Sequence, residues 1–352
     1  MDKSLKKPKK PPVIHTIASL HKHLQWALEV EHFTIPPYLC ALWSIKEGTN
    51  KDSAKLIHSV VMEEMLHMTL VANLMNAVGA TPELDRPGFI PTYKKRMPHS
   101  GAHLEVSLEK FSLSAVRTFM EIEQPKKTGA PPEADHFSTI AQLYDAIAEG
   151  LVYLVEKHKH KNIFIGKKLH QVTPEYYYGG GGFVYAIENL DQAMLAIREV
   201  SEQGEGKVPS SKGAPSSIFD GDEHFGQPPE LAHFYRFKEI RYGKRYGAKA
   251  DLSKIPDGPK FKVSWKDVYP MKKNPKVKPY PEGTPIRKKM DSFNRRYTKM
   301  LQMIERAFRG HPELLQTAVG EMYKLKYQGI ELMMIPSGQG NTTVGPSFEY
   351  LP

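Results

Sequence analysis

Glu64-Met-Leu-His67 and Glu230-Leu-Ala-His233 decide how this chain reads, because each lies in a helical run about thirty residues after a helical glutamate. Each residue of an α-helix turns about 100°, so positions three apart sit roughly 60° apart on one face, and a carboxylate and an imidazole there can reach one ion. Four helices that supply Glu, Glu-x-x-His, Glu and Glu-x-x-His carry the ligands of a dinuclear carboxylate metal site enclosed by a four-helix bundle. With 15 His and 27 Glu in 352 residues, chance produces about one Glu-x-x-His. The chain has four.

The other two tetrads read differently. Glu133-x-x-His136 follows Pro131-Pro132 at the polar start of a segment, where Glu133 suits a helix N-terminus better than a metal. Glu29-x-x-His32 overlaps the first ligand helix, which should give one lone inward carboxylate. Glu31 is preferred over Glu29, since Tyr38 lies seven residues on, two turns away on the same stripe. In the third ligand helix, Leu190, Ala193, Met194, Ile197 and Val200 form the apolar stripe. Glu199, Glu202 and Glu205 all compete for the inward position there. Glu202 is favoured because it can face inward two residues past Val200, whereas Glu199 follows Arg198. The expected metal ligands are therefore Glu31, Glu64, His67, Glu202, Glu230 and His233, with spacings of 33 and 28 between lone glutamate and tetrad in the two halves.

Composition narrows the chemistry. A chain of 352 residues with 40% hydrophobic content can bury one large core or two smaller ones. No stretch approaches twenty apolar residues, so no membrane span is expected. The N-terminal MDKSLKKPKKPP is basic and proline-rich and lacks an apolar h-region, which predicts a disordered tail over 1–16 and not a secretory signal. Cys40 is the single cysteine, so intrachain disulfides and thiolate clusters are excluded and a reducing cytoplasm is the expected location. Carboxylate, imidazole and water remain as ligands; these suit two iron ions, with manganese or zinc as alternatives. The net charge of +10 would suit nucleic acid. Five lysines lie in the tail, however, others cluster over 157–168 and 272–278, and no basic stripe interleaves with stacking aromatics, so no specific nucleic-acid partner is expected.

Along the chain, ligand helices are predicted over about 17–46, 52–78, 189–205 and 228–246. Pro36-Pro37 predicts a kink or bulge one turn past Glu31. Residues 85–185 read as an insertion: a short strand or hairpin over 85–110, helices over about 113–124 and 138–157, and the loop Tyr176-Tyr-Tyr-Gly-Gly-Gly-Gly182, whose glycines favour a mobile or closely approached backbone. Asp220-Gly-Asp222-Glu-His224 lacks a recognised ligand spacing and reads as a helix cap or a support for the centre. Residues 250–285 read as an appendage around Phe261-Lys-Val-Ser-Trp265, and amphipathic helices over 287–309 and 312–334 close a single domain spanning 17–352. Met62, Met65, Met68, Phe33 and Trp26 are candidates for an apolar pocket, with core packing as the alternative.

Glu31-His-Phe-Thr-Ile-Pro-Pro-Tyr38, Glu63-Glu-Met-Leu-His67, Glu202-Gln-Gly-Glu-Gly206, Glu230-Leu-Ala-His-Phe-Tyr-Arg-Phe237 and Gly345-Pro-Ser-Phe-Glu-Tyr350 resemble the ferritin-like iminophenyl-pyruvate dimer synthase family, from about residue 17 to the end. The resemblance implies a mainly α fold, a ferritin-like four-helix bundle with additional helices and short β and loop insertions. It also implies kinship with bacterial natural-product enzymes that oxidatively couple imines of aromatic 2-oxo acids. Carried onto matching positions, it makes Glu31 and His67 terminal ligands of one metal, Glu202 and His233 of the other, and Glu64 and Glu230 bridges. The function so predicted is a non-haem di-iron oxidase or oxygenase for a small, amino-acid-derived substrate. Dioxygen or peroxide would be the co-substrate, Tyr38 a hydrogen-bond donor behind the ligands or a redox participant, and a homo-oligomer is compatible. Iron oxidation and storage, or a scaffold with a structural metal, are the alternatives; the long insertions argue against a minimal storage cage.

Overall fold

The computed structural model describes residues 11–99, 104–125, 137, 139–205, 230–247 and 254–352. The helices are α1 (Ile17–Ser44), α2 (Lys51–Ala77), α3 (Leu113–Ile122), α4 (Ile140–His158), α5 (Leu190–Glu205), α6 (His233–Tyr242), α7 (Pro285–Phe308) and α8 (Leu314–Met334). A two-residue antiparallel pair, β1 (Lys95–Arg96) with β2 (Glu105–Val106), is the sheet found among the described residues. The fold is mainly helical. α1 packs along α2, and α2 meets both α5 and α6. α4 bridges α1 to α5, and α3 bridges α1 to α6. Thus α3 and α4, expected as parts of an insertion, complete the wall around the centre of the bundle.

α1 begins at Thr16, whose hydroxyl accepts the Ser19 amide at 3.1 Å, a cap worth about 1 kcal/mol. It runs through Pro36 and Pro37 as continuous helix. Pro37 has no N–H for the Phe33 carbonyl, and Tyr93 compensates by donating its hydroxyl to that oxygen at 2.7 Å. The insertion therefore satisfies the backbone group that the proline orphans.

Residues 1–10 of the expected tail lie outside the described residues. Residues 11–16 do not read as tail, since Ile14 is fully buried and stands where a side chain on Gly150 of α4 would have to go. The appendage grips the bundle through backbone bonds: Tyr269 N–H to Ser44 O at 2.8 Å, and Asn50, at the start of α2, paired both ways with the Ser264 backbone. Trp265 packs on Phe111. Phe261 to Trp265, strand-like in sequence, forms no strand. On α2, Asn73 bonds the backbones of Val172 and Tyr185, and Asn76 those of His170 and Phe308. Two buried amides near the C-terminal end of α2 thus fix the backbone of His170, Val172, Tyr185 and Phe308 against it.

Candidate metal centre

Glu64 and His67 both lie inside α2, buried to within 2% exposure, so helix geometry alone delivers them together. Glu31 comes from α1, with its carboxylate Oε2 3.1 Å from His67 Nδ1. Glu29, two residues earlier, turns outward to Arg86 and His99, and His32 bonds Tyr297 at 2.6 Å. That second tetrad is consumed by packing. His233, the first residue of α6, faces Glu64 with Nδ1 3.1 Å from Glu64 Oε1. Four of the six expected ligands, Glu31, Glu64, His67 and His233, therefore converge.

Glu230 does not join them. Ala232 is extended (φ −57, ψ 155) and caps α6 without a side chain, so the helix begins at His233 and the tetrad is not helical. Glu230 is half-exposed and pairs with Arg236 Nη2 at 3.2 Å. The expected helix over 228–246 is corrected to His233–Tyr242 among the described residues, and the physical cause of the misplaced carboxylate is this late start.

Glu202 is also placed elsewhere. The α5 residues facing the centre are Val200, Ser201 and Gly204, and at 100° per residue Glu202 points about 160° away from Gly204. Glu199 is buried but accepts from Gln203 Nε2 at 3.1 Å. The Glu205 side chain, the tetrad Glu133-x-x-His136 and the Asp220–His224 run lie outside the described residues.

A different carboxylate enters. Glu123, at the C-terminus of α3, is buried and places Oε2 3.5 Å from His233 Nδ1. Gly204 of α5 lies beside it: a Cβ there would stand 3.6 Å from that oxygen, an ordinary contact. The result is two donor triads that share one residue. Glu31, Glu64 and His67 form one, Glu64, Glu123 and His233 the other, with donor atoms in each within 4.8 Å of one another. The cavity between them has about 20 Å³, room for ions or a water but nothing larger. Met62, Met65, Met68, Phe33 and Trp26 do not line it; Trp26 stacks on His99, and Phe33 on Tyr93.

Supporting side chains aim the donors. Tyr144 gives its hydroxyl to Glu31 at 2.5 Å, Thr34 to Glu64 at 3.0 Å, and Tyr38 to Glu123. Gln203 Nε2 donates to Gly181 O and to Glu199, which turns its carbonyl oxygen to His67 Nε2 at 2.8 Å. His233 Nε2 is held by Glu63 at 2.9 Å. Both imidazoles are thus anchored through Nε2 and present Nδ1 to the carboxylates. The glycine loop is the closely approached kind: Gly181 has φ +91, and a Cβ there would lie 2.9–3.1 Å from the Glu63 backbone and Cγ.

A family model described as Ferritin-like matches residues 24–242. The chain belongs to the ferritin-like family. This ferritin-like chain is 29% identical over 327 residues to dichlorochromopyrrolate synthase of Lentzea aerocolonigenes, covering 82% of this chain and 29% of the relative. It therefore spans about three-tenths of the length of the curated relative it matches. A crystal structure of a ferritin-like protein from Caulobacter vibrioides aligns with a TM-score of 0.64 at 23% identity, over 97% of this chain and 100% of the other. At that identity the likeness shows the fold. No helix among the described residues is long and apolar enough to cross a membrane.

The electrostatics of the ferritin-like centre explain what the donor set can hold. Burial and the neighbouring charges of Glu123 and Glu31 push the Glu64 carboxyl up to about 8, against the pull of His233. Burial acts to raise Glu31, but its hydrogen bond from His67 and the charge there outweigh it and lower the pKa. Burial opposes charging of His67 and His233, and their carboxylate partners reverse that and raise both. Without a cation, protons must supply the positive charge among three buried carboxylates. Among the described residues, no arginine or lysine pairs with Glu31, Glu64 or Glu123; Arg236 is spent on Glu63 and Glu230. Three carboxylates and two imidazoles fit ions that accept oxygen and nitrogen ligands, iron and manganese first.

Glu123 was legible in part. It falls four residues after Phe119 on the apolar stripe Ala115, Val116, Phe119 and Ile122, an acid where a helix of this pattern should bury something apolar. The partnership of Gln203 with His67 leaves no such mark, because a glutamine on a charged final turn reads as surface.

Proposed function

We propose that this chain is a dinuclear metal oxidoreductase, with iron as the metal, that acts on a small amino-acid-derived molecule. The observation that carries the reading is the pair of buried donor triads sharing Glu64. In this assignment Glu31 and His67 would hold one ion, Glu123 and His233 the other, and Glu64 would be available to both. When bound, such a pair supplies two-electron oxidation with dioxygen or peroxide as co-substrate.

The chain's own residues prepare the site. Tyr38 and Tyr144 donate to the outer carboxylates Glu123 and Glu31, which fixes which oxygen faces inward. Gln203 and Glu63 hold the imidazoles in one orientation, and a misdirected ring would lose its lone pair to the wrong side. Burial of every donor keeps bulk water from competing. The relative's printed name supports a biosynthetic reaction in place of iron storage. The resemblance seen in the sequence supports coupling of imines of aromatic 2-oxo acids as its chemical class.

Anaerobic addition of ferrous iron, followed by oxygen, tests the reading by absorption and Mössbauer spectroscopy. The expected result is two irons per chain in a coupled pair. Continued uptake far beyond two irons would mean storage. Stoichiometric zinc binding with no spectral response to oxygen in the iron-treated protein would mean a scaffold.

A further inference from the structure

The tyrosine and glycine loop Tyr176–Gly182 is stretched between two fixed points, since Asn73 of α2 donates to Val172 O at 2.8 Å and to Tyr185 O at 2.9 Å on either side of it. Between them Tyr177 curls the chain: its hydroxyl donates to Gly180 O at 3.3 Å, and a Cβ on Gly179 would meet the same side chain at 2.5–3.0 Å. That turn presses Gly181 (φ +91) and Gly182 (φ +133) against α2 and α5. A Cβ on Gly181 would stand 2.9–3.1 Å from Glu63 Cγ, N and Cα. One on Gly182 would stand 2.6 Å from Leu66 Cδ2 and 3.2 Å from Gln203 Nε2. Glycine alone suits both the left-handed backbone and this approach.

The groups that Gly181 meets are the supports of the two imidazoles. Glu63, which stands where a Gly181 side chain would go, accepts from His233 Nε2 at 2.9 Å. Gln203, which donates Nε2 to Gly181 O at 2.9 Å, accepts from His67 Nε2 at 2.8 Å. Both supports are buried. His233 belongs to one donor triad and His67 to the other, so one residue of the loop touches the supports of both halves of the centre. We propose that Gly181 is a positioning residue for both imidazoles, through Glu63 on one side and Gln203 on the other, and that it links the binding of the two ions. Displacing the loop shifts the Glu63 carboxylate and lengthens the bond that orients the Gln203 amide in the same movement. Gln203 keeps its bond to Glu199, so the amide turns and is not released. Both Nδ1 lone pairs then lose their aim together. Conversely, a first ion that fixes one ring and its support seats the loop that supports the other ring, and the second ion binds more tightly for it. The presence of two ions rests on the dinuclear reading proposed above; the seating of the two rings does not.

The test is made on the full chain with isotope-labelled histidine, and with ferrous iron as the probe. In metal-free protein the ring-nitrogen resonances of His67 and His233, assigned through His67→Gln and His233→Gln, should both shift in Gly181→Ala. Both should stay in place in Gly180→Ala, because a Cβ on Gly180 meets nothing within 4 Å. In anaerobic competition with a chelator, Gly181→Ala should weaken both irons by about 10–100-fold, the scale for a group that orients a metal-bound imidazole, and Gly180→Ala neither. Near-ultraviolet circular dichroism checks the fold. Should Gly181→Ala fail to fold, Gly182→Ala carries the same expectation, since its Cβ meets the movable ends of Leu66, Glu199 and Gln203 and no backbone. A shift of one ring or of neither overturns the proposal, as does an equal effect of Gly180→Ala. Both rings shifted in a chain that takes up no iron would sink the dinuclear reading and keep this one; two irons bound by a Gly181→Ala chain whose rings have not moved would do the reverse.

Discussion

The two Glu-x-x-His tetrads are alike in sequence and unlike in structure. Glu64 and His67 sit in the middle of a 27-residue helix, both buried. Glu230 and His233 straddle the start of a 10-residue helix, one half-exposed and one buried. The first tetrad brings its own geometry, because hydrogen bonds on both sides hold the turn that spaces carboxylate and imidazole. The second has only the imidazole in place, and a carboxylate from α3 completes the triad. Three-residue spacing is thus a ligand motif only where the helix already exists at both residues.

The contrast can be broken most severely at the shared residue. Glu64→Gln removes a donor from both triads, and iron content should fall to near zero by elemental analysis while circular dichroism stays that of the folded chain. Next, Glu123→Gln and Glu230→Gln set the structural partner of His233 against the sequence neighbour. The first should lose about half the bound iron, one ion of the two, and the second none; the opposite result would restore the tetrad. On the intact side, Gln203→Leu frees His67 Nε2 and should weaken iron binding about 10–100-fold, the usual effect of removing a group that orients a metal-bound imidazole. Competition with a chelator measures it.

pH sharpens the comparison further. Glu64 titrates near 4.5 when unfolded and at about 8 in the folded, metal-free chain. Between those values the folded state holds more protons, so stability should fall as pH rises across that window. His67 and His233, both raised, act in the same direction, their stabilisation being lost as pH climbs through their folded values. Denaturant titrations of metal-free protein from pH 5 to 8 should show this slope. Iron should flatten it and release protons on binding. The smallest effect belongs to the support of α1: Tyr93→Phe leaves the Phe33 carbonyl without its hydroxyl donor and should cost about 1–2 kcal/mol in thermal or chemical unfolding.

Much of the bundle could be read in advance because periodicity is a local property. Apolar residues at helical spacing placed α1, α2, α5, α7 and α8 to within a few residues, and Tyr38 marked the inward stripe of α1 correctly enough to separate Glu31 from Glu29. Failures occurred where a residue's direction depends on a distant element. Glu202 reads as inward from the sequence around Val200, yet the residues of that turn that line the centre are Val200, Ser201 and Gly204, beside Glu123 from another helix. Glu123 and Tyr144 were assigned to an insertion because nothing local tells that α3 and α4 wall the centre. Pro36-Pro37 predicted a distortion; the helix continues, with the Tyr93 hydroxyl satisfying the Phe33 carbonyl.

By itself the sequence determined a mainly helical ferritin-like chain whose buried acids and histidines are suited to metal and whose single cysteine rules out thiolate clusters. Residue type and helical period are written in the order of the chain. Tertiary structure alone decided that Glu123 and not Glu230 stands beside His233, and that Glu230 pairs with Arg236 instead. Those choices depend on where a helix begins and on which distant side chains pack beside it, Glu123 beside His233 and Glu63 beside Arg236. Both are set by packing among segments a hundred or more residues apart.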